Sequence, residues 1–270
     1  MNQVEQLMIE KSNIIPEIGL SQENTISSLN YARVIQNSIL CSREGLFDLF
    51  DGRVSIVYKP KNILSGDFYF YHEKGDDLYF AVCDCTGHGI SGALLSILGH
   101  NMLERSLKKF DGLNDIMPYF NKTVTDSFSD QSTVVEAGMD MVIVRLNRKS
   151  KKMQFSGARR PLWILRNGEL LTYKTNRCSI GATCTNNQSW KVEELQMQKG
   201  DRIIMFSDGI TDQFGICNYK KFGKKLLSEI CLELENKPQK EFQKSVTTAF
   251  EAYKGNNIQT DDVLFISFDI

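Results

Sequence analysis

Residues 82–92 read VCDCTGHGISG. An apolar strand runs into Asp84, the chain passes through a Gly-rich turn, and a helix begins near Ile90. A carboxylate at a strand end beside a helix N-terminus sets a hard oxygen ligand next to free backbone N–H groups, a pairing that suits a metal ion and a phosphate. Asp followed by glycine is also ordinary turn chemistry, so the flanking sequence has to decide.

Upstream, residues 68–73 and 78–83 read as strands joined by Lys74-Gly75-Asp76-Asp77, and the Gly-Asp link favours an antiparallel hairpin. Asp67 then opens one strand and Asp84 closes the next, which puts both carboxylates at one end of the hairpin. Residues 54–58 form an earlier strand ended by Pro60, and residues 43–52, with Gly45, Asp48, Asp51 and Gly52, read as a loop. From 21 to 40, Ile26, Leu29, Ala32, Val34, Ile35, Ile39 and Leu40 recur at roughly helical spacing, with Ser21 as a cap and with Pro16 and Gly19 breaking the run before it. This amphipathic helix either packs on the main domain or pairs with a second copy or an input module; its stripe is too short for a coiled coil.

Downstream, helices are expected over 90–110 and 113–128, then strands at 139–146, 152–156, 162–165, 169–174, 189–195 and 203–206. Asn167-Gly168 is a strong hairpin turn between two of them. Helices near 219–234 and 239–253 and a strand at 263–268 close the chain. That order is not the alternation of a doubly wound fold, and it predicts an α+β sandwich with largely antiparallel sheets and segregated helices.

With 270 residues, 41% of them hydrophobic and 24% charged, the chain can bury a full core as one large domain, or one domain plus a small appendage. A formal charge of -1 gives no reason to expect a nucleic-acid partner. The N-terminus has acids and amides where a secretory signal needs a basic start and an apolar run, and no stretch is long enough to insert in a membrane, so a cytoplasmic location is expected. Seven scattered cysteines agree. Cys83 and Cys85 flank Asp84 but lack a partner pair at zinc spacing, and they read as small residues packing at a strand end.

Four acids stand where a strand gives way to a turn: Asp67 in SGDFY, Asp84 in DCTGHG, Asp208 in FSDGIT and Asp261 in QTDDVLFI. Each alone reads as a turn or cap residue. Together they offer what Mg²⁺ and Mn²⁺ take, several carboxylate oxygens converging from different strand ends. A pair of such ions lowers the pKa of a bound water, orients it and neutralises charge on the phosphoryl group that it attacks.

SGDFYF, DCTGHGISGALLS, GARRPLWILRNGEL, KGDRIIMFSDGITDQFG and DDVLFISF, in that order, resemble the motifs of the bacterial SpoIIE/RsbU-type branch of metal-dependent (PPM) protein phosphatases, relatives of protein phosphatase 2C. YARVIQNSIL with YKPKNILSGDFYF is similar to versions at the output end of bacterial signalling proteins, and the likeness runs from about Tyr31 to Ile270. It implies a four-layer α-β-β-α sandwich over 43–270, preceded by a helical regulatory or linker segment over 1–42. It also implies a two-metal centre of Mn²⁺ or Mg²⁺ in which Asp84 bridges the ions, the backbone carbonyl of Cys85 assists, Asp208 and Asp261 complete the set, and Asp67 lies in or just behind it. A metal-activated water would attack phosphoserine or phosphothreonine directly. The substrate implied is a phosphorylated signalling protein, typically an anti-sigma-factor antagonist, with an upstream sensor or self-association acting through 21–42.

Several positions leave alternatives open. Asp262 adjoins Asp261, and either is the ligand, with Asp261 favoured and Asp262 behind it. His88 either donates a proton to the leaving oxygen or stabilises the turn. Arg159 and Arg160 either meet the phosphoprotein, since arginine binds phosphate bidentately, or are solvated hairpin charges. His72, His100, Trp163 and Trp190 read as structural. The competing function class is a catalytically silent pseudophosphatase that binds or scaffolds a phosphoprotein; it should have lost a metal acid, and all four stand. A kinase is disfavoured, since no Gly-rich phosphate loop with its Lys is visible.

Overall fold

Period-two alternation decides what each strand must be covered by. In β3 (Asp77–Cys85), Leu78, Phe80 and Val82 point to one side and Tyr79, Ala81 and Cys83 to the other, and all six are buried. A strand apolar on both faces needs a layer on each. The computed structural model describes residues 22–128, 137–182, 189–216 and 220–270, and supplies those layers. The expected breaks at Pro16 and Gly19, the Ser21 cap and the helix start at Tyr219 lie outside the described residues.

One antiparallel sheet has the order β2 (Asp67–Lys74), β3, β4 (Met139–Asn147), β5 (Lys152–Ala158), β8 (Glu193–Gln196). The other runs β1 (Val54–Lys59), β10 (Val263–Asp269), β9 (Arg202–Phe206), β6 (Leu162–Arg166), β7 (Glu169–Tyr173). Between them lies a core that includes Phe80, Val82, Val142, Ile164, Met205 and Ile266. On the outer face of the first sheet, Phe68, Tyr79 and Cys83 pack with Leu103 of α3 (Gly89–Lys109) and Phe120 of α4 (Leu113–Asp126). On the outer face of the second, Trp163, Phe206 and Phe265 pack with Leu227 of α6 (Gly223–Glu233) and Phe242 and Phe250 of α7 (Gln239–Lys254). The four-layer α-β-β-α sandwich is thus observed.

Three elements differ from expectation. Residues 43–52 are not a loop throughout: α2 (Arg43–Leu49) occupies most of them, capped by the Ser42 hydroxyl, which accepts from the Gly45 N–H, and anchored by the fully buried Leu46. Gly45 is no breaker there; the Tyr71 hydroxyl sits where a Cβ would go. The strand expected at 189–195 is the shorter, later β8, and a single turn, α5 (Gly209–Asp212), follows β9.

The N-terminal helix, α1, is described over 22–39. Its apolar stripe is divided, with Ile26, Val34 and Ile35 exposed and Leu29, Ala32 and Ile39 half-buried, while polar Gln36 is buried. The Gln36 amide donates to the Ser65 carbonyl (2.7 Å) and the Ser96 hydroxyl (2.9 Å) and accepts from the Ser65 N–H (3.3 Å). One side chain therefore ties α1 to both α3 and the turn that leads into β2. No helix among the described residues is long and apolar enough to cross a membrane.

The turn into β2, the turn after β3 and the start of α3 meet at glycines. A Cβ on Gly92 would lie 2.5 Å from the Gly87 carbonyl oxygen and 2.8 Å from the Gly66 Cα, both backbone atoms that cannot swing aside. Gly92→Ala should therefore destabilise the protein by about 1–3 kcal/mol, as overpacking does. Urea unfolding of this variant beside Ser91→Ala checks it, and equal midpoints for the two would refute the contact.

Candidate metal centre

Antiparallel register puts three acids in one row. Asp67 lies opposite Asp84, and Asp84 opposite Asp140, across β2, β3 and β4. Directly paired residues share a face, and here it is the face that Tyr69, Val82 and Val142 continue into the inter-sheet core. The row therefore caps that core at one end of the sandwich. From the other sheet, Asp208 follows β9, and Asp261 and Asp262 precede β10, at the same end. Five acids named from sequence, Asp67, Asp84, Asp208, Asp261 and Asp262, and one unforeseen acid, Asp140, are brought to this end.

Asp140 was illegible as a site residue because it sits inside an apolar strand, MDMVIV. The signal was the anomaly itself, an acid where burial is expected. It is 9% exposed, accepts from the Ser179 hydroxyl, and accepts from Arg160 Nη2 at 2.7 Å.

Arg160 is the cation of the cluster. Its Nη2 also donates to Asp208 Oδ2 at 2.6 Å and lies 3.6 Å from Asp84 Oδ2. Burial works against its charge, but Asp84, Asp208 and Asp140 outweigh that and raise its pKa. Arg159 stands next to it in a left-handed conformation (φ 60°), exposed, with Nε 3.6 Å from Asp140 Oδ2. The two arginines thus differ: Arg160 is inside the acid cluster and Arg159 at its rim.

The carboxylates are strained by one another. Asp67 is pushed well up, by burial and then by the Asp84 charge, and its Oδ2 is buried without a hydrogen-bond partner among the described residues. Asp84 is raised by burial and Asp208, with Arg160 pulling the other way. Asp261 is raised by burial, and its Oδ1 accepts from the Asp262 N–H at 2.8 Å. Asp262 is different in kind: its two oxygens accept from the backbone N–H groups of Lys61 and Gly66, each at 2.7 Å. It braces the turn ahead of Asp67. Cys85 buries its thiol among the α3 and α4 contacts, and burial pushes that thiol well up, which leaves its backbone carbonyl as the group facing the Gly66 turn. His88 is exposed at the start of α3 and bonds Asn62 Oδ1 through Nδ1 (2.9 Å). His100 is buried against Phe68 and Phe70, away from the acids.

The donor set suits hard divalent ions: carboxylate oxygens in a poorly solvated pocket, one of them orphaned. As they stand, no group of three or more His, Cys, Asp or Glu side chains among the described residues is arranged to hold a metal ion. A guanidinium nitrogen lies where Asp84, Asp140 and Asp208 converge, so the charge of the cluster is partly offset from within the chain.

Residues 74–270, well over half of the chain, match the family model described as Stage II sporulation protein E (SpoIIE). The phosphoserine phosphatase RsbP of Bacillus subtilis is 21% identical over 252 residues, which cover 92% of this chain and 59% of that protein. The phosphoserine phosphatase RsbU of the same organism is 22% identical over 198 residues, 72% of this chain and 56% of that one. The chain therefore spans less than two thirds of either relative. Among solved structures, the SiaA-PP2C domain of Pseudomonas aeruginosa matches with a TM-score of 0.83 at 26% identity, over 93% of this chain and 98% of that one.

Relieving the orphaned carboxylate should stabilise the metal-free fold. Asp67 keeps a proton in the native state at pH values where the unfolded chain has lost it, so its contribution is full at low pH and is lost as pH rises through the native value. Asp67→Asn should gain about 1 kcal/mol in EDTA, with a lead over wild type that widens from pH 5 to pH 8, and should lose part of any thermal stabilisation by Mn²⁺. Urea unfolding at the two pH values checks this; a lead that shrinks with rising pH would contradict the electrostatic origin.

Proposed function

Since the chain belongs to the SpoIIE family of PP2C-fold phosphatases, we propose that it is a metal-dependent protein serine/threonine phosphatase acting on a phosphorylated bacterial signalling protein, an anti-sigma-factor antagonist or its equivalent. The observation that carries this reading is the row Asp67–Asp84–Asp140, met at one end of the sandwich by Asp208 and Asp261 from the other sheet. The name phosphoserine phosphatase, borne by both Bacillus relatives, supports it.

Asp84, the Cys85 carbonyl, Asp208 and Asp261 would hold two divalent cations, Mn²⁺ or Mg²⁺, with Asp67 alongside and Asp262 fixing the turn behind. When bound, the cations neutralise phosphoryl oxygens and supply a water of lowered pKa. The chain's own groups do the rest. Arg160, now paired with Asp208 and Asp140, would present to the substrate a guanidinium whose fork matches two phosphate oxygens. Arg159, at the rim, meets the incoming phosphoprotein. His88, exposed in the turn after β3, would protonate the leaving serine or threonine oxygen. Burial pushes the thiols of Cys83 and Cys85 well up, so neither serves as a nucleophile at neutral pH.

Residues 1–42 are proposed as the regulatory segment and 43–270 as the phosphatase domain. The Gln36 amide supports this division of labour, because it joins α1 to the turn two residues before Asp67.

Two outcomes are expected. Hydrolysis of p-nitrophenyl phosphate and a phosphoserine peptide should require Mn²⁺ or Mg²⁺, and Asp84→Asn should lower kcat about a thousandfold, the equivalent of several kcal/mol of transition-state stabilisation. Undiminished turnover in EDTA would overturn the mechanism, while phosphopeptide binding without any turnover would identify a pseudophosphatase. Deleting residues 1–42 should change turnover or the Mn²⁺ concentration needed for it by severalfold; a truncated protein unchanged in both would remove the regulatory assignment.

A further inference from the structure

A second feature of the surface lies beside the acid cluster. Between β7 and α6 runs a groove of about 1120 Å³. Residues 168–172 all line it, successive residues from both faces of the strand, so it follows the edge of β7 and not one face of the sheet. Among the described residues that edge is open, because β7 is the terminal strand of its sheet. Asn167 and Gly168 form a two-residue hairpin loop with φ of 52° and 81°, and Arg166 pairs with Glu169 across it. In this register Glu169, Leu171 and Tyr173 turn their backbone groups to β6, which leaves the N–H and C=O of Leu170 and Thr172 pointing outwards. Over five residues the edge is about 17 Å long.

The groove is strongly one-signed in a chain whose formal charge is only -1. Arg159, Lys174, Arg177, Lys224 and Lys225 line it, against a single acid, Glu169. Lys174, Arg177 and Lys224 form no ion pair among the described residues, and Lys225 has only a 3.9 Å contact with Glu229. Trp163 belongs to the lining, 3% exposed, and its Nε1 has no hydrogen-bond partner among the described residues. Arg159 belongs both to this lining and to the rim of the metal centre, where it reaches Asp140, so the groove leads into the acid cluster.

We infer that this groove is the docking track for an extended, acidic segment of the phosphoprotein, which adds as a strand to the open edge of β7 while its carboxylates meet Lys174, Arg177, Lys224 and Lys225. Strand addition uses the outward groups of Leu170 and Thr172 for affinity, whatever the sequence, and the basic walls supply selectivity. An occupant laid along β7 reaches Arg159 and presents its phosphorylated residue to the acids beyond. The identity of the occupant rests on the phosphatase reading above; the preference for an acidic extended chain rests on the groove alone.

The test is a binding measurement that needs no turnover. A fluorescently labelled phosphoserine peptide with a flanking run of four Glu is compared, by anisotropy, with the same peptide carrying four Gln. Wild-type protein should bind the acidic peptide at least tenfold more tightly. Reversing three exposed charges (Lys174→Glu, Lys224→Glu, Lys225→Glu) should remove that preference and weaken binding about tenfold or more, since surface pairs contribute modestly but add over three sites. Thr172→Pro, which takes away an outward donor without taking a bond from β6, should weaken both peptides equally. The inference is overturned if wild type binds the two peptides alike, if the charge reversal leaves the preference intact, or if a labelled oligothymidine binds the groove more tightly than the acidic peptide. Hydrolysis of p-nitrophenyl phosphate, measured alongside, separates the two readings. Its absence with the peptide preference intact condemns the phosphatase assignment and leaves the groove; its presence, unchanged in the charge-reversal variant, with no preference condemns the groove alone.

Discussion

Like charges taken out of water repel, and this fold holds Asp84, Asp140 and Asp208 around one guanidinium nitrogen. The register of β2, β3 and β4 leaves no choice about it: once Val82 and Val142 face the other sheet, Asp84 and Asp140 must face that way too. The rest of the end of the sandwich is arranged around that repulsion. Arg160 is drawn in among the acids, and Asp208 offers its N–H to Asp84 Oδ2 at 3.4 Å. Asp262 shows how a buried carboxylate looks when its demands are met, with both oxygens on backbone amides. Asp67, a few residues from those amides, keeps one oxygen unpaired. The contrast between the two acids is between a carboxylate whose hydrogen-bonding demands the fold meets and one whose demands it leaves open.

Much of this was readable from sequence, for a definable reason. The hairpin of β2 and β3 is closed by a two-residue Gly75-Asp76 link, so counting outward from the turn pairs Asp67 with Asp84 without any coordinates. Asp208 and Asp261 were readable because each stands one residue outside an apolar run, Asp208 after IIMF and Asp261 before VLFI. Asp140 and the inward course of Arg160 were not, because both depend on which strands far apart in the chain become neighbours. Periodicity identifies a strand's two faces but never names the strand beside it.

Local sequence misled at α2 for a related reason. Seven residues with a glycine among them make a poor helix in isolation; what holds them is tertiary, through Leu46 in the inter-sheet core and the Ser42 cap. On α1 the helical spacing of apolar residues says nothing of what covers them, and in the structure Ile26, Val34 and Ile35 stand exposed while Gln36 makes the hydrogen-bonded attachment. Attachment of this helix combines the buried Gln36 amide with apolar contact at its C-terminal end, where Leu40 packs on the core beneath α3 and α4.

The meeting of Gly66, Gly87 and Gly92 has a consequence for how such a chain can change over generations. Backbone rests on backbone there, so a side chain gained at Gly92 has no neighbour able to shrink in compensation. Segments 60–70 and 84–94 must therefore be inherited as a matched set. Recombination between distant relatives that splits the pair, however well each half folds in its own parent, should yield chimaeras whose loops no longer nest.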